Sequence, residues 1–152
     1  MKKILIIVLV AFVIIQFFPI DKTNPSVNPG MDFLKIKNIS PETAKMIRTS
    51  CYDCHSDETQ YPWYSSIAPA SWILKNHIDE GRKHLNFSIF ATYEPEIQIH
   101  KMEECVKMLK EGKMPLESYF IGHQNAKITD IQRQELIKYF KRETEETKIK
   151  MQ

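Results

Sequence analysis

Cys51-Tyr52-Asp53-Cys54-His55 sets two thiols three positions apart, with an imidazole directly after the second. On one helical turn, thiols so spaced can reach the two vinyl groups of a haem as thioethers, while the adjoining histidine ligates the iron. Five residues thus supply covalent attachment through Cys51 and Cys54 and proximal ligation through His55. The cofactor expected is one covalently attached haem c, with its iron. Three other chemistries use similar residues. A thioredoxin-like Cys-x-x-Cys follows a strand in a βαβ setting, whereas here a helix pattern precedes the motif and a proline-containing loop follows it. Structural zinc needs two further ligands, and the one remaining cysteine, Cys105, is some fifty residues away with no paired cysteine. A plain Cys51–Cys54 disulfide is the remaining reading.

Iron in a low-spin cytochrome takes a second axial group, and Met114, His77, His84, His100 and His123 are available. Met114 is the first choice. It lies between Gly112, a helix stop, and Pro115, which biases the preceding backbone to an extended shape able to hold a thioether toward buried iron. The ordinary role of a methionine is to fill gaps in a core, and Met102 on an apolar helical stripe fits that role. His77 is the alternative distal ligand, although a histidine of this kind is more often a hydrogen-bonded structural residue. Tyr61, Pro62, Trp63, Tyr64 and Trp72 could wall a haem or pack between helices. Cys105 beside the same stripe reads as a buried, inert thiol.

These residues need helices to position them. Ser40-Pro41-Glu42 combines a capping hydroxyl, a first-turn proline and an acid, which predicts a helix running to about Thr49. Pro69 opens a second helix through Trp72, Leu74, His77 and Ile78 that stops at Gly81 or His84. Pro95 opens a third, carrying Ile99, Met102, Val106 and Leu109 on one face and ending at Gly112. Thr129 and Gln132 form a capping box for a last helix that buries Ile131, Leu136, Ile137 and Phe140. No period-two strand is found, and neither Asn-Gly nor Asp-Gly occurs, so the expected fold class is all-α. Four or five short helices make a thin core for this length, which leaves room for a group at the centre.

Of the first 20 residues 16 are hydrophobic, and Lys2 and Lys3 precede the run Ile4 to Ile20. A basic flank leading into such a stretch predicts an N-terminal transmembrane helix, or alternatively a removed signal. The bulky residues Gln16-Phe17-Phe18 favour an uncleaved anchor, and the charge flank places the rest of the chain outside the cytoplasm. The expected organisation is therefore an anchor or signal over 1–20, a tether over 21–34 rich in turn signals, a haem-binding domain over 35–141 and a charged, solvated tail over 142–152. Setting aside Lys2 and Lys3 leaves 19 basic against 19 acidic residues, so no electrostatic footprint for nucleic acid exists. Three cysteines exclude a disulfide-dense scaffold. No glycine-rich phosphate loop, Gly-x-Ser-x-Gly or His-Glu-x-x-His is present.

The helix entering CYDCH, the Gly112-Lys113-Met114-Pro115 element and the closing helix resemble a class I cytochrome c. The longer strings CYDCHSDETQYPWYSSIAPASW, WILKNHIDEGRKHLNFS and GKMPLESYF resemble more closely the membrane-anchored bacterial haem-binding domain proteins, over most of residues 35–141. The cytochrome resemblance implies that Met114 occupies a ligand loop, since the ligand methionine there is often followed by proline. Together these readings predict a cytochrome c-like domain around one haem, anchored in the cytoplasmic membrane with the domain facing the periplasm or cell exterior. Such a protein is an electron carrier rather than an enzyme, has no catalytic side chains, and meets redox protein partners at an exposed haem edge. The alternative is a haem-based sensor or peroxidase-like enzyme with an open distal position.

Overall fold

The computed structural model describes residues 1–151, and among them it is all-helical, with no strand. The α-helices are α1 (Lys2–Ile15), the single turn α2 (Phe33–Ile36), α3 (Pro41–His55), α4 (Ala70–His84), α5 (Pro95–Lys110) and α6 (Asp130–Lys150). Short 3-10 turns fill the connections at Trp63–Ser66, Phe87–Thr92, Glu117–Ile121 and Gln124–Ala126.

The starts follow local chemistry. The Ser40 side chain accepts from the Thr43 amide, with Pro41 at the first helical position. Thr129 and Gln132 form both halves of a capping box. α5 ends where Gly112 takes φ 65°, a left-handed conformation that glycine adopts without steric cost. The hydrophobic faces of α5 and α6 pack along one another, and with α3 they bury Ile47, Met102, Leu136 and Phe140. Phe33 on α2 fills the other end, in contact with the rings of Phe87, Phe90, Tyr139 and Phe140.

Several expectations change. α3 does not stop near Thr49 but continues through the whole Cys-x-x-Cys-His motif, because no breaker occurs before His55. α4 passes through Gly81 and ends at His84, the further of the two stops expected. Ile131 is 73% exposed, whereas Tyr139 is buried in its stead; counting back from Phe140, the i−3 and i−4 positions are Ile137 and Leu136, and Ile131 lies off that stripe. α6 runs on to Lys150 with Glu143, Thr144 and Thr147 buried, and the Lys37 ammonium lies 3.9 Å from the Glu143 carboxylate.

The transmembrane helix is corrected. No helix among the described residues is long and apolar enough to cross a membrane. α1 has 14 residues, about 21 Å of helix at 1.5 Å per residue, against a hydrocarbon core of about 30 Å. The apolar run continues in the sequence, but the helix does not. Gln16 turns its amide to Ala68, bonding both that residue's carbonyl and its N–H at 3.0 Å, and Pro19 cannot extend the helix. The expected single-pass anchoring in a cytoplasmic membrane through a transmembrane helix is therefore not supported. The residues that follow bond to the domain: Trp72 donates its indole N–H to Phe18 O, and Asn24 bonds both Thr59 O and the Arg82 guanidinium.

Candidate haem site

At the centre of the helices lies a cavity of about 490 Å³, within the range of small-molecule and cofactor sites. α3 supplies Cys51, Cys54 and His55 to its wall, α4 supplies His77 and His84, and the segment after α5 supplies Met114. Leu85, Phe87, Leu109, Leu136 and Phe140 make it largely apolar. The structure thus brings Cys51, Cys54 and His55 and both leading candidates for the second axial position to one cavity. Of the other axial candidates it brings His84 there too, but not His100 or His123. His100 is exposed on α5 near Glu104, and His123 lies outside the wall against Tyr64 and Tyr119. Nor do Tyr61, Pro62, Trp63, Tyr64 and Trp72 form the wall, whose aromatic members are Phe87, Tyr119 and Phe140.

His55 is oriented by α4. Its Nδ1 is 2.9 Å from Gly81 O and 3.1 Å from Leu85 O, and because carbonyls only accept, Nδ1 carries the hydrogen. Nε2 is then the ring's free lone pair. Metal-ligating histidines are typically fixed in this way, with the second ring nitrogen donating to a carbonyl. Burial pushes the His55 pKa below the usual histidine value, which keeps the ring neutral and able to ligate.

Gly81 makes this contact possible. A Cβ built there would lie 2.5 Å from Cys54 O and 3.2 Å from Cys54 Cβ, so α4 crosses α3 at a distance that only glycine permits. The two residues between the cysteines tie the motif down on opposite sides. Tyr52 donates its hydroxyl to the buried Asp32 carboxylate at 3.0 Å and stacks on Phe87. Asp53 accepts from the Tyr119 hydroxyl and, at 2.9 Å, from the Gln60 amide. Beyond His55, Arg82 donates to Ser56 O at 2.8 Å and lies 3.6 Å from Asp57.

The thiols are held neutral. Burial, and then the proximity of Cys54, pushes Cys51 up to about 12; burial, and then Asp53, pushes Cys54 up to about 11. Burial raises Cys105 as well. Reactive redox cysteines have depressed values at electropositive sites, so this environment opposes thioredoxin-like exchange. No three metal-binding side chains converge among the described residues, which opposes a structural zinc centre.

The donor set fits haem: two thiols, an imidazole with a free Nε2, a thioether and an apolar cavity of suitable size. Haem bound there supplies an iron that cycles between ferrous and ferric states, while ligands and burial set its potential. The fold and site define an all-helical haem-binding protein. The family model of the haem-binding domain matches residues 10–142, and the chain belongs to that family. No curated protein and no solved structure matches it.

Tyr52, Asp53, Asp32, Gly81 and Tyr119 escaped the sequence reading. Only Gly81 left a signal: a glycine inside a helical pattern that proved not to be its stop marks a close approach of two backbones.

Proposed function

We propose that the protein is a c-type monohaem electron carrier. Cys51 and Cys54 are the thioether attachment points, His55 is the proximal iron ligand and Met114 is the distal one. The observation that carries this reading is the His55 ring, whose Nδ1–H is committed to Gly81 O and Leu85 O at the wall of a cavity shared with both cysteines and Met114. The chain's residues hold the ligand tautomer and exclude water through the apolar wall. Electrons pass to and from redox protein partners at the haem edge without any substrate chemistry.

A redox titration followed optically, with carbon monoxide added to the ferrous form, tests the function. One reversible one-electron couple and resistance to carbon monoxide are expected of a six-coordinate carrier. Prompt carbon monoxide binding would contradict it and favour the sensor or peroxidase-like alternative. That alternative draws on one observation, the presence of His77 at the same cavity, where an imidazole could act as a distal base.

A further inference from the structure

Arg133, in the first turns of α6, makes two hydrogen bonds through a single nitrogen: Nη1 donates to Leu109 O at 3.1 Å and to Met114 O at 2.9 Å. Leu109 is in the last turn of α5, where carbonyls have no partner within the helix. The same segment is held from its amide side, since Lys113 N bonds Met108 O at 3.0 Å and Gly112 N bonds Leu109 O at 3.2 Å. Pro115, which follows, has no N–H and is buried. Arg133 is thus the side chain that ties the carbonyl of Met114 to the rest of the fold. Its guanidinium forms no ion pair among the described residues.

We infer that Arg133 is a positioning residue for the distal ligand: it fixes the Met114 backbone on the end of α5 so that the thioether stays at the haem cavity. This rests on the reading of Met114 as the distal ligand. A guanidinium suits the task because each terminal nitrogen carries two N–H groups, so one nitrogen can serve two carbonyls while the group stays charged. Loss of the contact frees the loop. Two hydrogen bonds of ordinary net strength correspond to roughly a tenfold shift or more between a ligated and a released thioether.

The test compares haem-loaded wild type with Met114→Ala, Arg133→Gln and Arg133→Lys. The methionine signature in near-infrared magnetic circular dichroism and the carbon monoxide affinity of the ferrous protein are read for each. Met114→Ala should abolish the signature. Arg133→Gln should keep it in part and raise carbon monoxide affinity about tenfold, since ligand and gas compete for one position. Arg133→Lys, which keeps a donor, should restore most of the wild-type behaviour. An Arg133→Gln protein identical to wild type in both readouts, with Met114→Ala altered, overturns the role of Arg133 and leaves the ligand assignment standing. A signature that survives Met114→Ala overturns both. Should Arg133→Gln fail to retain haem, Arg133→Lys carries the same comparison: a small rise in affinity is expected, and none overturns the inference.

Discussion

At the residue scale, the side chains between the cysteines matter as much as the cysteines do. Tyr52 is buried, and among the described residues its hydroxyl is the only side-chain donor bonded to the Asp32 carboxylate, whose other bond is from the Leu34 amide. Tyr52→Phe leaves the carboxylate with less compensation, and a loss of about 1–3 kcal/mol in urea unfolding of the apoprotein is expected. Asp32 also predicts a pH dependence. Burial is the main cause that raises its pKa above the usual aspartate value. In the window just above that usual value the native state therefore binds more protons than the unfolded one, and this residue's contribution to stability falls as pH rises through the window. Asp32→Asn, which can still cap the Leu34 amide, should flatten that part of the apoprotein's stability profile against pH. A profile unchanged by the substitution would count against the assignment. These roles were illegible in sequence because any tyrosine or aspartate can occupy the two middle positions of the motif; the partners come from residues 20 and 66 positions away.

At the element scale, two glycines do opposite work. Gly81 stands in α4, where alanine would ordinarily gain about 1 kcal/mol of helix propensity. Here the added Cβ would meet the Cys54 carbonyl at 2.5 Å. The clash wins, and Gly81→Ala should cost about 1–3 kcal/mol by overpacking. It should also move the Gly81 carbonyl away from His55 and weaken haem retention. Gly112 has nothing within 4 Å of its would-be Cβ but lies at φ 65°, so Gly112→Ala should cost about 1 kcal/mol through backbone strain alone. Thermal melts of the two variants, paired with their Soret absorbance, separate them: haem loss is expected of Gly81→Ala beyond what its lower stability explains. The helices' beginnings were legible because Ser40, Pro95 and Thr129 carry cap chemistry in consecutive residues. The continuation of α3 to His55 was not, because it depends on the absence of a breaker rather than on a signal.

At the scale of the whole molecule, the thin core expected from short helices has its counterpart in the central cavity. The sequence placed Cys51, Cys54, His55, Met114 and His77 together by chemistry, and the fold gathers all five at that cavity. The N-terminus was misread for a physical reason. Hydropathy reports the apolar run from Ile4 to Ile20, but helix length is set by where the backbone turns, and Gln16 is bonded to Ala68 fifty-two residues on. The aromatics after the motif were likewise placed by composition alone. Trp63 is 79% exposed, and the ring it touches, Tyr64, faces His123 rather than the cavity. A bound haem should stabilise the folded chain by mass action and by filling the cavity, so the Cys51→Ser, Cys54→Ser double variant without haem should melt well below the loaded protein. Equal melting temperatures would show that the cavity does not hold it.

The account stands on haem joined to the chain through Cys51 and Cys54. Intact mass under denaturing conditions, on protein produced in a host able to mature c-type cytochromes, reads this directly. The predicted result is the translated chain plus one haem, with both thiols blocked to alkylation. The translated mass alone, with both thiols free or joined to each other, would contradict it.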